Sequence, residues 1–160
     1  MTRMFSLIVA ALFICIGNNG THAAEKGNTT GIASFHARGE ITKHSGGVVV
    51  WIGKFYGVSM THDQKGPLHN AGWDCTGEST IHDDQVFQSD GFCAVTDSDG
   101  DTINLVWEQT HVPAATGTAR TRGSYVSGTG KYEGIQGYYT FSCKLGGLVC
   151  DITSGEYKLP

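Results

Sequence analysis

The segment GTGKYEGIQGYYTF, Gly128 to Phe141, decides between two very different folds. Four glycines in its first ten residues can form a phosphate-binding loop, or they can mark turns and bends in a β-sheet. A P-loop needs glycine where Tyr125 stands and serine or threonine where Tyr132 stands. A dinucleotide-binding loop needs glycine where Glu133 stands. The segment matches neither loop, so its glycines are predicted to shape a sheet.

Each glycine of this segment then has a predicted structural role. Gly128 and Gly130 are expected to adopt positive φ in a connection between two strands. Gly134 and Gly137 are expected to let the next strand bend, or to let another backbone approach closely.

The rest of the chain has the periodicity of strands. No window of eleven or more residues repeats apolar side chains with the helical period of 3.6 residues. Instead, stretches rich in β-branched and aromatic residues are separated by Gly, Asp and Pro. We predict eight strands: Thr30 to Lys43, Val48 to Thr61, Leu68 to Thr80, Val86 to Thr96, Thr102 to His111, Thr118 to Ser127, Gly134 to Lys144 and Leu148 to Lys158. Long strands joined by short turns favour a closed eight-stranded antiparallel β-barrel, which has no open edge. A β-sandwich is the alternative.

Four cysteines follow Cys15, and their spacing predicts two disulfides. In CKLGGLVC, a turn centred on Gly146-Gly147 places Cys143 opposite Cys150 on neighbouring strands, within bonding distance. A hairpin turning near HDDQ, His82 to Gln85, places Cys75 opposite Cys93 in the same way. We predict these two bonds, Cys75–Cys93 and Cys143–Cys150. A Cys/His metal site is the alternative, although no CxxC spacing occurs.

Met1 to Ala23 has the order of a secretory signal peptide. Arg3 precedes the apolar stretch MFSLIVAALFICIG, and small residues stand at Thr21 and Ala23 near the expected cleavage site. We expect residues 24–160 to form one secreted or periplasmic domain with no stable membrane anchor, the alternative being an uncleaved anchor. The oxidising compartment that this implies agrees with paired cysteines.

The charge balance excludes some partners. The chain carries a net charge of −4, and loss of Arg3 with the signal peptide makes it one unit more negative. Nucleic acids and anionic membranes are bound through basic surfaces. Neither is therefore expected as a partner.

GTGKYEGIQG running into an aromatic strand, preceded by GFCAVTDSDGD and a strand containing Trp107, resembles the allene oxide cyclase and dirigent group of eight-stranded barrels. The likeness is to small secreted bacterial members and covers roughly Ile81 to Phe141. It implies a barrel around an apolar cavity, in which plant members steer cyclisation or radical coupling of small organic substrates without a metal or bound redox cofactor. The catalytic positions of the plant members cannot be matched here, so no catalytic residue is carried over.

Aromatic residues on the predicted strands are the candidates for a binding site. Strand alternation places Trp107 on the same face as Ile103 and Leu105, and in a barrel that face either fills the core or lines a pocket. We predict that five aromatic residues bind a small apolar or aromatic molecule: Trp51, Tyr56, Trp107, Tyr139 and Phe141.

Two further groups of residues have chemical potential. Glu108 and His111 lie close together at a strand end, where Glu could orient a His that acts as acid or base. Asp97, Asp99 and Asp101 in DSDGD have the spacing of oxygen ligands at the start of a calcium loop, and an exposed Asp-Gly turn is the alternative. No cofactor is expected.

Three functions are compatible with these features. The first is a secreted barrel that binds a small apolar or aromatic molecule. The second is a cofactor-independent cyclase or isomerase with a buried acid such as Glu108. The third is a structural envelope protein whose barrel is filled by side chains. Binding ranks first because aromatic strands are evident, whereas no nucleophile elbow or complete catalytic set is.

Overall fold

The computed structural model describes residues 24–83, 85–109, 112–113, 117–144 and 146–160, with the backbone alone for 112–113. The predicted signal peptide and His111 lie outside these residues. Ten strands form one antiparallel sheet. They are β1 Lys26–Asn28, β2 Gly31–Lys43, β3 Val49–Thr61, β4 Ala71–His82, β5 Gln85–Thr96, β6 Thr102–Gln109, β7 Val112–Pro113, β8 Thr118–Gly128, β9 Gln136–Lys144 and β10 Val149–Lys158.

Eight of these strands close into a barrel. Each of β2 to β5 pairs with the next strand, β6 pairs with β8, β8 with β9 and β9 with β10. The ring closes because β10 also pairs with β2, at Gly31 to Ser34. This confirms the closed eight-stranded barrel and excludes the sandwich. The two short strands add to its ends, β1 on β10 and β7 on β5.

The predicted strands are confirmed with small shifts of their ends. β4 begins at Ala71 rather than Leu68 and continues to His82. Leu68 instead lies in the connection before β4 and is buried inside the end of the barrel. The short strands β1 and β7 were not predicted, because three and two residues are too few to show alternation.

Both predicted disulfides are present, Cys75–Cys93 and Cys143–Cys150. Each joins directly opposed residues of neighbouring strands, in the predicted register. All four half-cystines are buried in the core. Because successive side chains of a strand point to opposite faces, the buried cysteines identify the inward-facing positions of β4, β5, β9 and β10.

The glycines of the opening segment lie in and beside the connection between β8 and β9. Gly130 and Gly134 adopt positive φ, of 52° and 77°. Gly137 also has positive φ, of 132°, and a side chain there would meet the carbonyl oxygen of Glu156. The prediction was wrong for Gly128, which keeps an ordinary φ. It is a close-approach position, where a side chain would meet the backbone of Tyr132.

We call the two ends of the barrel the closed end and the cavity end. The closed end carries the connections 62–70, 97–101 and 129–135, together with β1. The cavity end carries the connections from β2 to β3, β4 to β5, β6 to β8 and β9 to β10. In the part of the chain that the structure describes, no helical segment has the length and hydropathy of a membrane span.

Candidate functional site

The barrel contains an apolar cavity of about 70 Å³ in the half nearer the cavity end, and this cavity is open to solvent. Aromatic rings and the two disulfides form most of its wall, and Gln109 and Thr121 are its polar side chains besides the Tyr139 hydroxyl. The lining residues are Phe35, Phe55, Trp73, Cys75, Cys93, Trp107, Gln109, Thr121, Tyr139, Phe141, Cys143, Leu148 and Cys150. Such a wall suits an apolar occupant, because a polar one would lose its hydrogen bonds to water without replacement.

Trp73 is the centre of the aromatic cluster at the waist of the barrel. Its ring lies 5.5 to 5.7 Å from the rings of Phe35, Tyr139 and Phe141. The contacts with Phe35 and Tyr139 are edge-to-face, an arrangement that aromatic pairs favour. Three strands, β2, β4 and β9, supply these rings, so the cluster fixes the shape of the cavity at the waist.

A second aromatic cluster lies nearer the cavity end. Phe55 packs between Trp51, at 4.9 Å, and Trp107, at 5.7 Å between ring centroids. The ring of Trp107 covers the backbone of Gly77 and Gly91, which face each other on β4 and β5. A large ring fits here because neither opposed residue has a side chain.

The closed end is filled by side chains from its connections. Leu68 is fully buried, and its carbonyl oxygen accepts a hydrogen bond of 2.6 Å from the hydroxyl of Ser59. Ser59 in turn accepts a bond of 2.8 Å from the indole N–H of Trp73. Tyr132 and Ile135, from the connection between β8 and β9, are also buried. These contacts seal this end of the barrel with residues that do not belong to strands.

The aspartate motif and the glycine-rich motif bind each other at the closed end. The ammonium group of Lys131 lies 2.7 Å from Asp97 and 2.5 Å from Asp99. Tyr132 donates a hydrogen bond of 2.8 Å from its hydroxyl to Asp97. The backbone N–H of Lys131 donates to Asp101 at 3.2 Å. The segment tested above as an anion-binding loop therefore presents a lysine to carboxylates of its own chain.

These contacts determine the ionisation of Asp97. Its side chain is 4% exposed, and burial by itself would raise its pKa. Hydrogen bonds from Lys131, Tyr132 and two backbone N–H groups outweigh burial and lower the pKa from 3.8 to about 2. The bonds that Lys131 forms to Asp97 and to Asp99 raise the pKa of its ammonium group. Burial, followed by the bond to Asp97, raises the pKa of Tyr132.

Three of the five predicted binding residues line the cavity, namely Trp107, Tyr139 and Phe141. Trp51 packs against Phe55 but is not part of the wall. Tyr56 is on the outer face and 43% exposed, because alternation along β3 points Phe55 inward and its neighbour outward. The structure therefore contradicts its placement in the barrel interior.

Of the predicted acid–base pair, His111 lies outside the described residues, and Glu108 does not line the cavity. Glu108 is exposed on the outer face of β6, where it lies opposite Arg122 of β8 in register. The idea of Glu108 as a buried acid was wrong, because Trp107 points inward and its neighbour must point outward. None of the described lining residues is Asp, Glu, His, Lys or Arg. Burial raises the pKa of Tyr139 well above its ordinary value, so this hydroxyl stays neutral.

The aspartates proposed as calcium ligands are engaged by protein groups. Two backbone N–H groups, of Asp99 and Asp101, donate to one oxygen of Asp97, and Lys131 and Tyr132 contact the other. This is the bonding of an Asp-Gly turn held by a lysine, not of an open oxygen cage. In the parts of the chain that the structure describes, no group of three or more His, Cys, Asp or Glu residues is arranged to hold a metal ion.

Sequence reasoning missed part of the wall, namely Phe35, Phe55, Trp73, Gln109 and Thr121. A signal for Trp73 was present, because it lies two residues before Cys75 and therefore shares its face of the strand. By the same rule, Phe141 and Tyr139 share the inward face of β9 with Cys143. Phe35 had no such marker, since no cysteine lies on β2.

Comparison with known proteins adds no assignment. No family model matches the chain, and no curated protein or solved structure is significantly similar to it. The structure by itself shows an eight-stranded antiparallel barrel with an apolar cavity. Its two disulfides are consistent with a small secreted protein that folds in an oxidising compartment.

Proposed function

We propose that this is a secreted barrel that binds a small apolar or aromatic molecule in its cavity. The apolar wall carries the proposal: six aromatic rings and two disulfides surround a space with no charged side chain among the described lining residues. Gln109 and Thr121 can orient one polar group of the ligand. A secreted or periplasmic location and the likeness to allene oxide cyclase and dirigent barrels belong to the same proposal.

The volume of the cavity limits the size of the ligand that it can bind. An apolar protein cavity of about 150 Å³ is enough for a benzene molecule. At about 70 Å³, this cavity accepts a short alkyl chain or the end of a larger molecule that enters from the cavity end. A bulky polycyclic ligand requires the wall to move.

Binding is favoured over a cyclase or isomerase because, among the described residues of the wall, the titratable group with an altered pKa is that of Tyr139, which is held neutral. The structural role has one observation in its favour, the filled closed end. In that case the cavity is only a packing gap, and occupation has no consequence.

Ligand titration with a cavity-filling variant tests the proposal. Two alcohols with short alkyl chains, 1-butanol and 1-hexanol, are titrated while thermal stability and tryptophan fluorescence are followed, since Trp73 and Trp107 form part of the wall. Benzene, which needs about twice this volume, is the oversized comparison and should bind more weakly. A specific ligand at 100 times its Kd stabilises the protein by about 2.7 kcal/mol. Mass spectrometry of molecules that copurify with the secreted chain identifies the natural ligand class.

The variant Thr121→Leu places extra carbon atoms in the cavity and is expected to weaken binding at least about tenfold. Thr76→Leu is the matched control, because Thr76 is exposed on the outer face of β4 beside Cys75. Binding that survives Thr121→Leu unchanged shows that the ligand is elsewhere. If no probe binds and Thr121→Leu only stabilises the fold, the filled structural barrel is correct.

A further inference from the structure

Strand β2 has a long side without a partner. β3 pairs with all thirteen residues of β2, from Gly31 to Lys43. On the other side, β10 pairs only as far as Ser34, and one more bond joins the N–H of Phe35 to the carbonyl oxygen of Leu148 at 2.9 Å. From residue 37 to residue 43, no described strand pairs with this side of β2. We call this segment the free edge.

The hydrogen-bonding groups of the free edge follow from the antiparallel pattern. Successive residues of a strand direct their N–H and C=O groups to opposite sides. Phe35 bonds toward the β10 side, whereas the carbonyl of Thr30 accepts a bond from His62 on the β3 side. Odd-numbered residues of the free edge therefore point their backbone groups away from β3; they are Ala37, Gly39, Ile41 and Lys43. An exposed edge of this length without proline is a template for another strand.

Two charged side chains flank the centre of the free edge and lack ion partners. Arg38 and Glu40 are exposed on the outer face, and neither forms an ion pair with another described residue. In register, Arg38 lies opposite Lys54, a like charge, and Glu40 lies opposite Ile52. Lys54 itself pairs with Asp74 at 3.6 Å. The arrangement within one chain therefore leaves one positive and one negative charge available at the edge.

We propose that the free edge pairs with the free edge of a second copy of this chain, antiparallel, with Gly39 opposite Gly39 at a two-fold axis. This register joins odd-numbered residues to odd-numbered residues, as the direction of their backbone groups requires. Arg38 of each copy then lies opposite Glu40 of the other, on the same outer face. Ala37 lies opposite Ile41, which is 64% exposed in the single chain and becomes covered.

Other registers that pair odd-numbered with odd-numbered residues lack this match. The nearest two, centred on Arg38 and on Glu40, place that residue opposite its own copy, which is a like charge. A register centred on Ala37 places Arg38 opposite His36 and leaves Glu40 without a positive charge. A register centred on Ile41 places Glu40 opposite Thr42. Charge complementarity therefore selects the pairing centred on glycine, and it also requires identical copies, since each copy supplies both signs. The product is a continuous sheet that passes from one barrel to the other.

Charge reversal tests both the partner and the register. Sedimentation equilibrium of the disulfide-bonded chain is expected to show a dimer whose association weakens with salt. Arg38→Glu and Glu40→Arg each place two like-charge pairs at the axis and are expected to raise the dimer Kd at least about tenfold. The double variant Arg38→Glu/Glu40→Arg restores opposite charges and should return the Kd to within about threefold of the original.

Two further variants separate pairing from folding. Glu78→Lys reverses a charge on the same outer face of β4, two strands from the edge, and should leave the Kd unchanged. Ile41→Pro removes an N–H that no described group uses and should abolish the dimer with the barrel's circular dichroism retained. A chain that stays monomeric at millimolar concentration, or a dimer insensitive to both single reversals, overturns the proposal. So does a monomer that binds an unrelated extended peptide at this edge.

Discussion

The closed end and the cavity end of the barrel are built from the same eight alternating strands, yet their interiors differ. At the closed end, the connections supply Leu68, Tyr132 and Ile135, and all three are buried. At the cavity end, the described turns are short, and Leu148 reaches only the rim of the cavity. Ile41, which belongs to the inward-facing positions of β2, remains exposed.

The difference teaches that strand alternation makes the tube, whereas the connections decide whether an end is filled. An eight-stranded barrel is just wide enough for inward side chains to meet. A ring that covers a pair of glycines, such as Trp107 over Gly77 and Gly91, lies flat against the wall of the barrel. It therefore leaves space beside it in the interior. The cavity lies beside the large rings and glycines, at the end where the described connections contribute only Leu148 to the interior.

The largest expected effect is a difference in stability cost between replacing a leucine at the closed end and replacing a leucine at the cavity end. Leu68→Ala removes a fully buried side chain and should lower the free energy of unfolding by about 3 kcal/mol, with a range of about 2 to 5. Leu148→Ala, at the rim of the cavity, should cost about 1 kcal/mol, because this side chain is only partly buried. Urea denaturation of both variants measures the two costs. Equal losses would mean that the cavity end is packed as tightly as the closed end.

A middle-sized effect concerns the glycines that shape the cavity wall. Gly77→Ala places a methyl group against the ring of Trp107 and 2.7 Å from the carbonyl oxygen of Asp90, and should cost about 1 to 3 kcal/mol. Gly72→Ala is the matched control on the same strand, since the nearest atom would be 3.9 Å away. It should be neutral or slightly stabilising. Tryptophan fluorescence should change with Gly77→Ala alone, and the reverse result would refute the role of this glycine.

The smallest expected effect is a pH dependence that arises at the closed end. The pKa of Asp97 is lowered from 3.8 to about 2, so its stabilising contribution is present above 3.8 and is lost as the pH falls through about 2. Solvent screens this interaction through Lys131, whose side chain is 45% exposed, and limits the contribution to about 1 kcal/mol. Urea denaturation across this range should show a smaller loss of stability for Asp97→Asn than for the original chain. Asp151→Asn, on the outer face of β10, should keep the original pH dependence.

Much of the fold could be predicted because its signals are local. Alternation located the eight strands of the barrel, and the even spacing around Gly146-Gly147 and around HDDQ predicted both disulfides. Short elements escaped, since β1 and β7 gain their pairing only from strands distant in sequence. Leu68 was predicted as part of a strand, because an apolar residue is expected both in a strand and in a connection that fills the end of the barrel.

The candidate site was predicted in part for the same reason. Trp107 could be oriented by its alternation with Ile103 and Leu105. Tyr56 and Glu108 were misplaced because their chemistry, rather than their position relative to an inward neighbour, was used to choose them. The contact between Lys131 and Asp97 joins residues 34 positions apart and has no local signal at all.

The sequence by itself determined which stretches are strands, which cysteines bond and that the glycine-rich segment is a connection, because alternation, register and turn chemistry act between neighbours along the chain. Tertiary structure alone decided which end is filled, where the cavity lies and that the aspartate motif holds a lysine instead of presenting open ligands. These outcomes depend on which distant side chains compete for one small volume, and that competition takes place only once the ring of strands has closed.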